Sequence, residues 1–217
     1  MDWATMIPTL WQGTLETAYM VLVSSLLTVV FGLPLGILLV ITDKHGLTPA
    51  AGLHQVLGAL VNAARSLPFI ILLVLIIPFT RWVVGTSIGS TAAIVPLAVA
   101  AIPFFARVAE TALREVNDGL VEAALAMGCS TWQIITKVLI PEALPSLVLG
   151  VALTIISLIG YSAMAGTIGG GGLGDLAIRY GYQRYETAIM ITTVVILIVL
   201  VQGVQYAGNL ISRRISR

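Results

Sequence analysis

Charge is what this sequence has least of. Only 10% of its residues are Asp, Glu, Lys or Arg, where a soluble domain carries about 25%. Hydrophobic residues make up 58% of the 217, and mean hydropathy is +1.02. A soluble core cannot hide that much apolar surface, so the chain reads as an integral membrane protein. Cys129 is the single cysteine, which excludes an internal disulfide and any cysteine-rich metal site. His45 and His54 are the two histidines; they lack zinc-ligand spacing and read as solvated loop residues. A net charge of +1 argues against a nucleic-acid surface, which needs clustered Lys and Arg. No long-period repeat is evident. Met1 to Glu16 holds no Lys or Arg, which argues against a cleaved signal peptide with its basic n-region.

Chemistry is missing as well. No Gly-x4-Gly-Lys-Ser/Thr stretch occurs, so the chain carries no P-loop for ATP. Gly169, Gly171 and Gly174 match GxGxxG, yet no strand precedes them, and Gly169 to Gly174 reads as a flexible link. No Ser/His/Asp or paired-carboxylate constellation lies in an apolar run, which argues against a membrane enzyme. The runs also lack the acidic or histidine residues that proton-coupled carriers place at mid-membrane. Energy for any transport is therefore expected from another chain.

What is present is long apolar runs. Five spans are predicted, at about 17–42, 57–80, 84–106, 144–165 and 187–210. Gly32, Pro34 and Gly36 fall inside the first, as close helix packing tolerates. Asp43 to Gln55 reads as a loop. Arg65, near the start of the second span, is expected to snorkel to the headgroups, and Pro68 and Pro78 to bend that span. Trp82 to Gly89 reads as a short connection. Arg107 with Glu110, and Glu110 with Arg114, have the spacing to pair along a solvated helix end. Trp3, Trp11, Tyr180, Tyr182 and Tyr185 suit the membrane interface. With the N-terminus outside, the inner segments hold Lys44, Arg65, Arg107, Arg114, Lys137, Arg213, Arg214 and Arg217, eight in all. The outer ones hold only Arg81, Arg179 and Arg184. That bias satisfies the positive-inside rule and puts the segment after the third span in the cytoplasm.

That segment, 118–141, is polar and capped. Asp118 is expected to cap a helix whose first turn holds Glu122, where the dipole favours a carboxylate. Gly128 suits a left-handed helix end, and Ser130 with Gln133 suits a capping box for a second helix. Trp132, Ile135 and Leu139 are expected on one face of it, with Pro141 limiting its length. Glu122, Ala123, Ala124, Gly128, Val138, Ile140 and Pro141 stand in the register of the EAA loop, so the hairpin resembles the coupling helix of ABC-importer permeases. The runs Arg65 to Leu73, Ile77 to Gly89 and Gly160 to Gly174 are similar to the permeases of methionine-uptake importers, and the resemblance extends over 13–205.

The resemblance implies an all-α, polytopic permease of the type I importer class in the bacterial inner membrane. It implies a homodimer, docked through Glu122, Ala123, Ala124, Met127, Gly128 and Pro141 to cytoplasmic ATPase subunits that hold ATP and Mg, so this chain needs no cofactor. An external substrate-binding protein or lipoprotein would deliver methionine. Ser66, Tyr161, Ser162 and Met164 are the candidate translocation-path residues. Another polar amino acid or small solute is the alternative cargo, and an ion-coupled carrier the alternative class.

Overall fold

The computed structural model describes residues 3–216 and, for 3–5, the backbone alone. The interfacial role expected of the Trp3 side chain and the charge of Arg217 thus lie outside the described residues. Among the described residues every regular element is helical. In chain order they are α1 (Trp3–Ile41), α2 (Ala51–Ser66), α3 (Phe69–Leu75), α4 (Ile77–Val84), α5 (Ser90–Arg114), α6 (Asp118–Ala126) and α7 (Thr131–Ile134). A π turn (Ile135–Leu139) then leads into α8 (Ile140–Gly166). After it come α9 (Gly172–Leu176), a second π turn (Ala177–Tyr182) and α10 (Thr187–Ile215).

Four helices are long and apolar enough to cross a membrane, and a fifth crossing exists only if α2 and α3 are taken together. Those two meet at a 102° bend. The expected second span is therefore not one straight helix but a bent pair. Pro68 dictates the break, because its ring forces Leu67 out of the helical region, to ψ 127°. The first helix also starts earlier than expected: residues 3–16 are already helical and continuous with the span.

α1 and α5 form the centre of the bundle and run parallel. Ser24 of α1 donates to the Ile94 carbonyl of α5, Gly32 lies against Ile102 and Phe105, and Gly36 against Ala106 and Ala109. A Cβ at Gly36 would sit 2.8 Å from both the Ala106 oxygen and the Ala109 Cβ, so glycine is what lets the two backbones touch. α8 returns antiparallel, with Gly150 against Val108, and α10 packs on α8 where Gly208 meets Ala152. One end of the bundle gathers Glu16, the start of α5 at Gly89, the end of α8 and α9. The other end gathers Asp43, Arg114 and the 118–141 hairpin. The N-terminal part of α1 thus lies on the face opposite the hairpin, as the charge bias requires.

Candidate functional site

The hairpin is built by local capping. Asn117, in extended conformation, caps α6: its Oδ1 accepts from the Gly119 N–H at 2.8 Å. The cap is thus one residue earlier than expected, and Asp118 is instead the acidic residue of the first turn. This moves Glu122 into the second turn, where the dipole helps it less. Gly128 has φ +78°, and the Cys129 N–H reaches back to the Ala124 carbonyl at 3.1 Å, which closes α6 in a Schellman-type end. Ser130 and Gln133 exchange both bonds of a capping box and start α7.

Two expectations for the second helix fail. Its buried face is centred between Ile134 and Ile135, about 110° around the helix from Trp132 at 3.6 residues per turn. Trp132 is accordingly 71% exposed, while Ile135 and Leu139 are buried. Nor does Pro141 end the helix. The chain widens into the π turn, where the Ile140 N–H bonds to the Ile135 carbonyl five residues back. That wider turn accommodates a residue without an N–H, and α8 runs on through Pro141. The hairpin is therefore rigidly continuous with a membrane-crossing helix. Its inner side is held by Ala124 and Ile134, both buried in the hydrophobic cluster that also contains Leu113 and Val116. Its tip presents Met127 at 76% exposure beside Trp132 and Leu125, with Glu122 and Ala123 exposed next to them. A cleft of about 810 Å³ runs beside it, lined by Asp43, His45, Arg114, Asp118 and Glu122 among others.

An ion network stands behind that cleft. Glu110 accepts from Arg107 Nη1 at 2.6 Å and from Arg114 Nη2 at 3.0 Å. Arg114 also pairs with Asp43 at 2.6 Å, and Arg107 donates to the Gly58 carbonyl and to Asn62 Oδ1. The expected solvated helix end is instead an inter-helix clamp, for Glu110 is buried. The Arg114 hydrogen bond, then the Lys44 backbone N–H, hold the Asp43 carboxyl below its usual range. His54, expected in a loop, lies half-buried on α2 with Nδ1 3.0 Å from the Leu39 carbonyl. His45 is exposed as expected.

The four candidate path residues are not equivalent. Tyr161 stacks on Phe69 of α3, with ring centroids 4.7 Å apart. The pair borders a cavity of about 120 Å³ shared with Arg65, Ala100 and Phe104. Ser66 is exposed nearby in sequence, but its hydroxyl is spent on the Asn62 carbonyl at 2.8 Å. Ser162 is buried and donates to the Ile159 carbonyl, so it packs inside the helix bundle. Met164 is 48% exposed. Arg65 was expected at the headgroups; because α2 begins at Ala51, it lies close to the helix's far end and beside the middle of α5.

The glycine-rich stretch is no flexible link. Glu16 Oε2 accepts from the Gly172 N–H at 2.8 Å, and Thr17 Oγ1 from the Leu173 N–H at 2.9 Å. Gly171 and Gly172 both have φ +76°, and Gly172, Leu173 and Gly174 are buried. α1 thereby caps α9 across the outer face. Local sequence offers no signal for this contact, although apolar surroundings leave no backbone N–H unpaired.

Several known proteins are similar to this chain in sequence or fold. Residues 32–217 match the family described as binding-protein-dependent transport system inner membrane component. A probable D-methionine transport system permease protein of Vibrio cholerae is 55% identical over 203 residues, covering 94% of this chain and 90% of that protein. The methionine import system permease protein of Bacillus subtilis is 45% identical over 208 residues, covering 96% and 94%. A chain of an inward-facing methionine ABC transporter superposes with TM-score 0.98 at 49% identity, covering 100% of both chains. An amino acid ABC transporter at 20% identity shares the fold, with TM-score 0.80 over 99% of both chains. By sequence match and helical architecture together, the chain belongs to the inner-membrane components of binding-protein-dependent transport systems.

Proposed function

We propose that this chain is the membrane-spanning subunit of an ATP-driven methionine importer. Two copies form the pathway. A separate ATPase chain, holding ATP and Mg, docks on the 118–141 hairpin, and an external binding protein delivers the amino acid. The observation that carries this reading is the hairpin itself. It exposes an apolar tip, Met127 and Trp132, on an element that continues without a break into α8. An exposed apolar knob on a rigid lever is what a partner's motion can pull. The methionine cargo is supported by the relatives, whose names state methionine transport.

The test is reconstitution in liposomes with the candidate ATPase and binding protein. ATP-dependent uptake of radiolabelled methionine is expected. Glu122→Lys and Gly128→Val should leave the permease in the membrane yet lose the co-purifying ATPase and the uptake. A Cβ at Gly128 meets nothing within 4 Å, so Gly128→Val acts through backbone strain at φ +78°. That strain is worth about 1–2 kcal/mol and re-aims α7. Lys137→Ala is the control, expected to retain both. Normal ATPase binding and uptake in Glu122→Lys and Gly128→Val would reduce the hairpin to a connector and overturn the docking. Ion-gradient uptake without the ATPase would overturn the importer class.

A further inference from the structure

We infer that Arg65, which lines one small cavity together with Tyr161, is a carboxylate-binding point at mid-membrane on the translocation path. The depth follows from the neighbours. Arg65 borders the small cavity together with Phe69, Ala100, Phe104 and Tyr161. Ala100 and Phe104 sit in the middle of α5, which runs from Ser90 to Arg114. At 1.5 Å per residue, each is about 15–21 Å from either end of that crossing. A guanidinium on an exposed residue at this depth costs several kcal/mol unless something compensates its charge, and such residues are functional by default.

No partner among the described residues compensates it. Among the described residues no hydrogen bond or ion pair engages the Arg65 guanidinium, and none engages the Tyr161 hydroxyl. The ten acidic residues are Asp2, Glu16, Asp43, Glu110, Glu115, Asp118, Glu122, Glu142, Asp175 and Glu186. The one inside α5, Glu110, is already held by Arg107 and Arg114. Glu16, Asp43, Asp175 and the hairpin acids belong to the two ends of the bundle. The counter-charge must arrive with a ligand. The cavity of about 120 Å³ has room for water, or for a carboxylate in its place. The fork of Arg65 suits a carboxylate in bidentate geometry, and the Tyr161 hydroxyl adds a donor. Tyr161 is fixed for that task by its stacking on Phe69. An α-amino acid brings such a group, whatever its side chain. This assignment rests on the reading of the chain as an amino-acid importer.

The experiment is a charge rescue in the reconstituted permease, ATPase and binding-protein system. Arg65→Cys is placed in a Cys129→Ser background, and membrane abundance and ATPase co-purification are followed to show assembly. ATP-driven uptake of radiolabelled methionine should fall at least tenfold. An aminoethyl methanethiosulfonate adduct, which returns a positive charge, should restore most of it. The neutral methyl adduct of the same thiol should not. Tyr161→Phe should cost a smaller factor of about three to ten, as one lost donor would. Uptake undiminished in Arg65→Cys, or equal rescue by the neutral and the cationic adduct, would overturn the assignment. Failure of the functional reading looks different: the unsubstituted complex then imports no methionine. The same rescue is in that case read on the carboxylate-bearing amino acid it does import, with the same two outcomes.

Discussion

Replacing Glu110 by alanine tests whether the cluster around it is a clamp or a solvated helix end. Glu110 is 7% exposed and accepts from both Arg107 and Arg114. Removing one member of a buried ion pair costs about 3–5 kcal/mol, because the other charge stays behind. Here the stranded charge is Arg107, whose side chain is 24% exposed and keeps Gly58 and Asn62 as acceptors. Arg114 is more open and keeps Asp43, so its share is that of a surface pair, about 0–1 kcal/mol. The expected cost is therefore near the low end, about 3 kcal/mol. For a chain of this size, at about 2–4 °C per kcal/mol, the thermal midpoint in detergent should fall by roughly 6–12 °C. A double variant, Arg107→Met with Glu110→Leu, separates the desolvated pair from mere packing. Replacing a buried pair by apolar residues of similar volume is close to neutral, so the double variant should recover most of the loss. A Glu110→Ala midpoint within about 1 °C of the parent would show that the cluster is only a solvated helix end, and the clamp argument would be refuted.

Two further outcomes are expected. Gly172→Ala places a Cβ at φ +76°, 2.6 Å from Thr17 Oγ1 and 2.8 Å from Met20 Cε. Left-handed strain of about 1–2 kcal/mol and overpacking of about 1–3 kcal/mol should together lower the detergent melting point clearly; a parent-like midpoint would mean that the α1–α9 contact is not a clamp. Cys129, the one thiol, is half-buried just after α6 on the hairpin side. A membrane-impermeant maleimide should label it in inside-out vesicles and not in right-side-out ones, and labelling from the outer side would invert the orientation.

The hairpin was legible because its signals are local. A left-handed glycine and a Ser-x-x-Gln box act within three or four residues, so Gly128, Ser130 and Gln133 declare themselves. Even there a one-residue ambiguity between Asn117 and Asp118 moved Glu122 one position further from the helix start, into the second turn, since both side chains are good caps. Pro141 misled for a different reason. Proline excludes an ordinary α-helical bond at its position, but the π turn before it removes the conflict, and sequence carries no mark of that turn. The pairs Arg107–Glu110 and Glu110–Arg114 were legible from spacing, whereas Asp43, Gly58 and Asn62 come from other elements and were not.

Contacts across the fold follow a physical rule that composition alone cannot localise. Apolar surroundings oblige every buried N–H to find an acceptor, so a glycine-rich stretch at the end of a crossing helix must be gripped by something. The rule demands a partner for Gly172 and Leu173; only the fold shows that it is Glu16 and Thr17, more than 150 residues away. Arg65 makes the same point about depth. The charge near the start of an apolar run invites a snorkelling assignment, and that assignment presumes where the helix begins. Ala50, at the true start of α2, makes no side-chain cap, so nothing in the sequence flags the position. Beginning six residues earlier than the expected 57, α2 carries Arg65 almost to its far end, and the Pro68 break turns Phe69 toward Tyr161. A cation that a short helix would leave at the headgroups is thereby delivered to the level of Ala100 and Phe104, where no carboxylate among the described residues pairs with it.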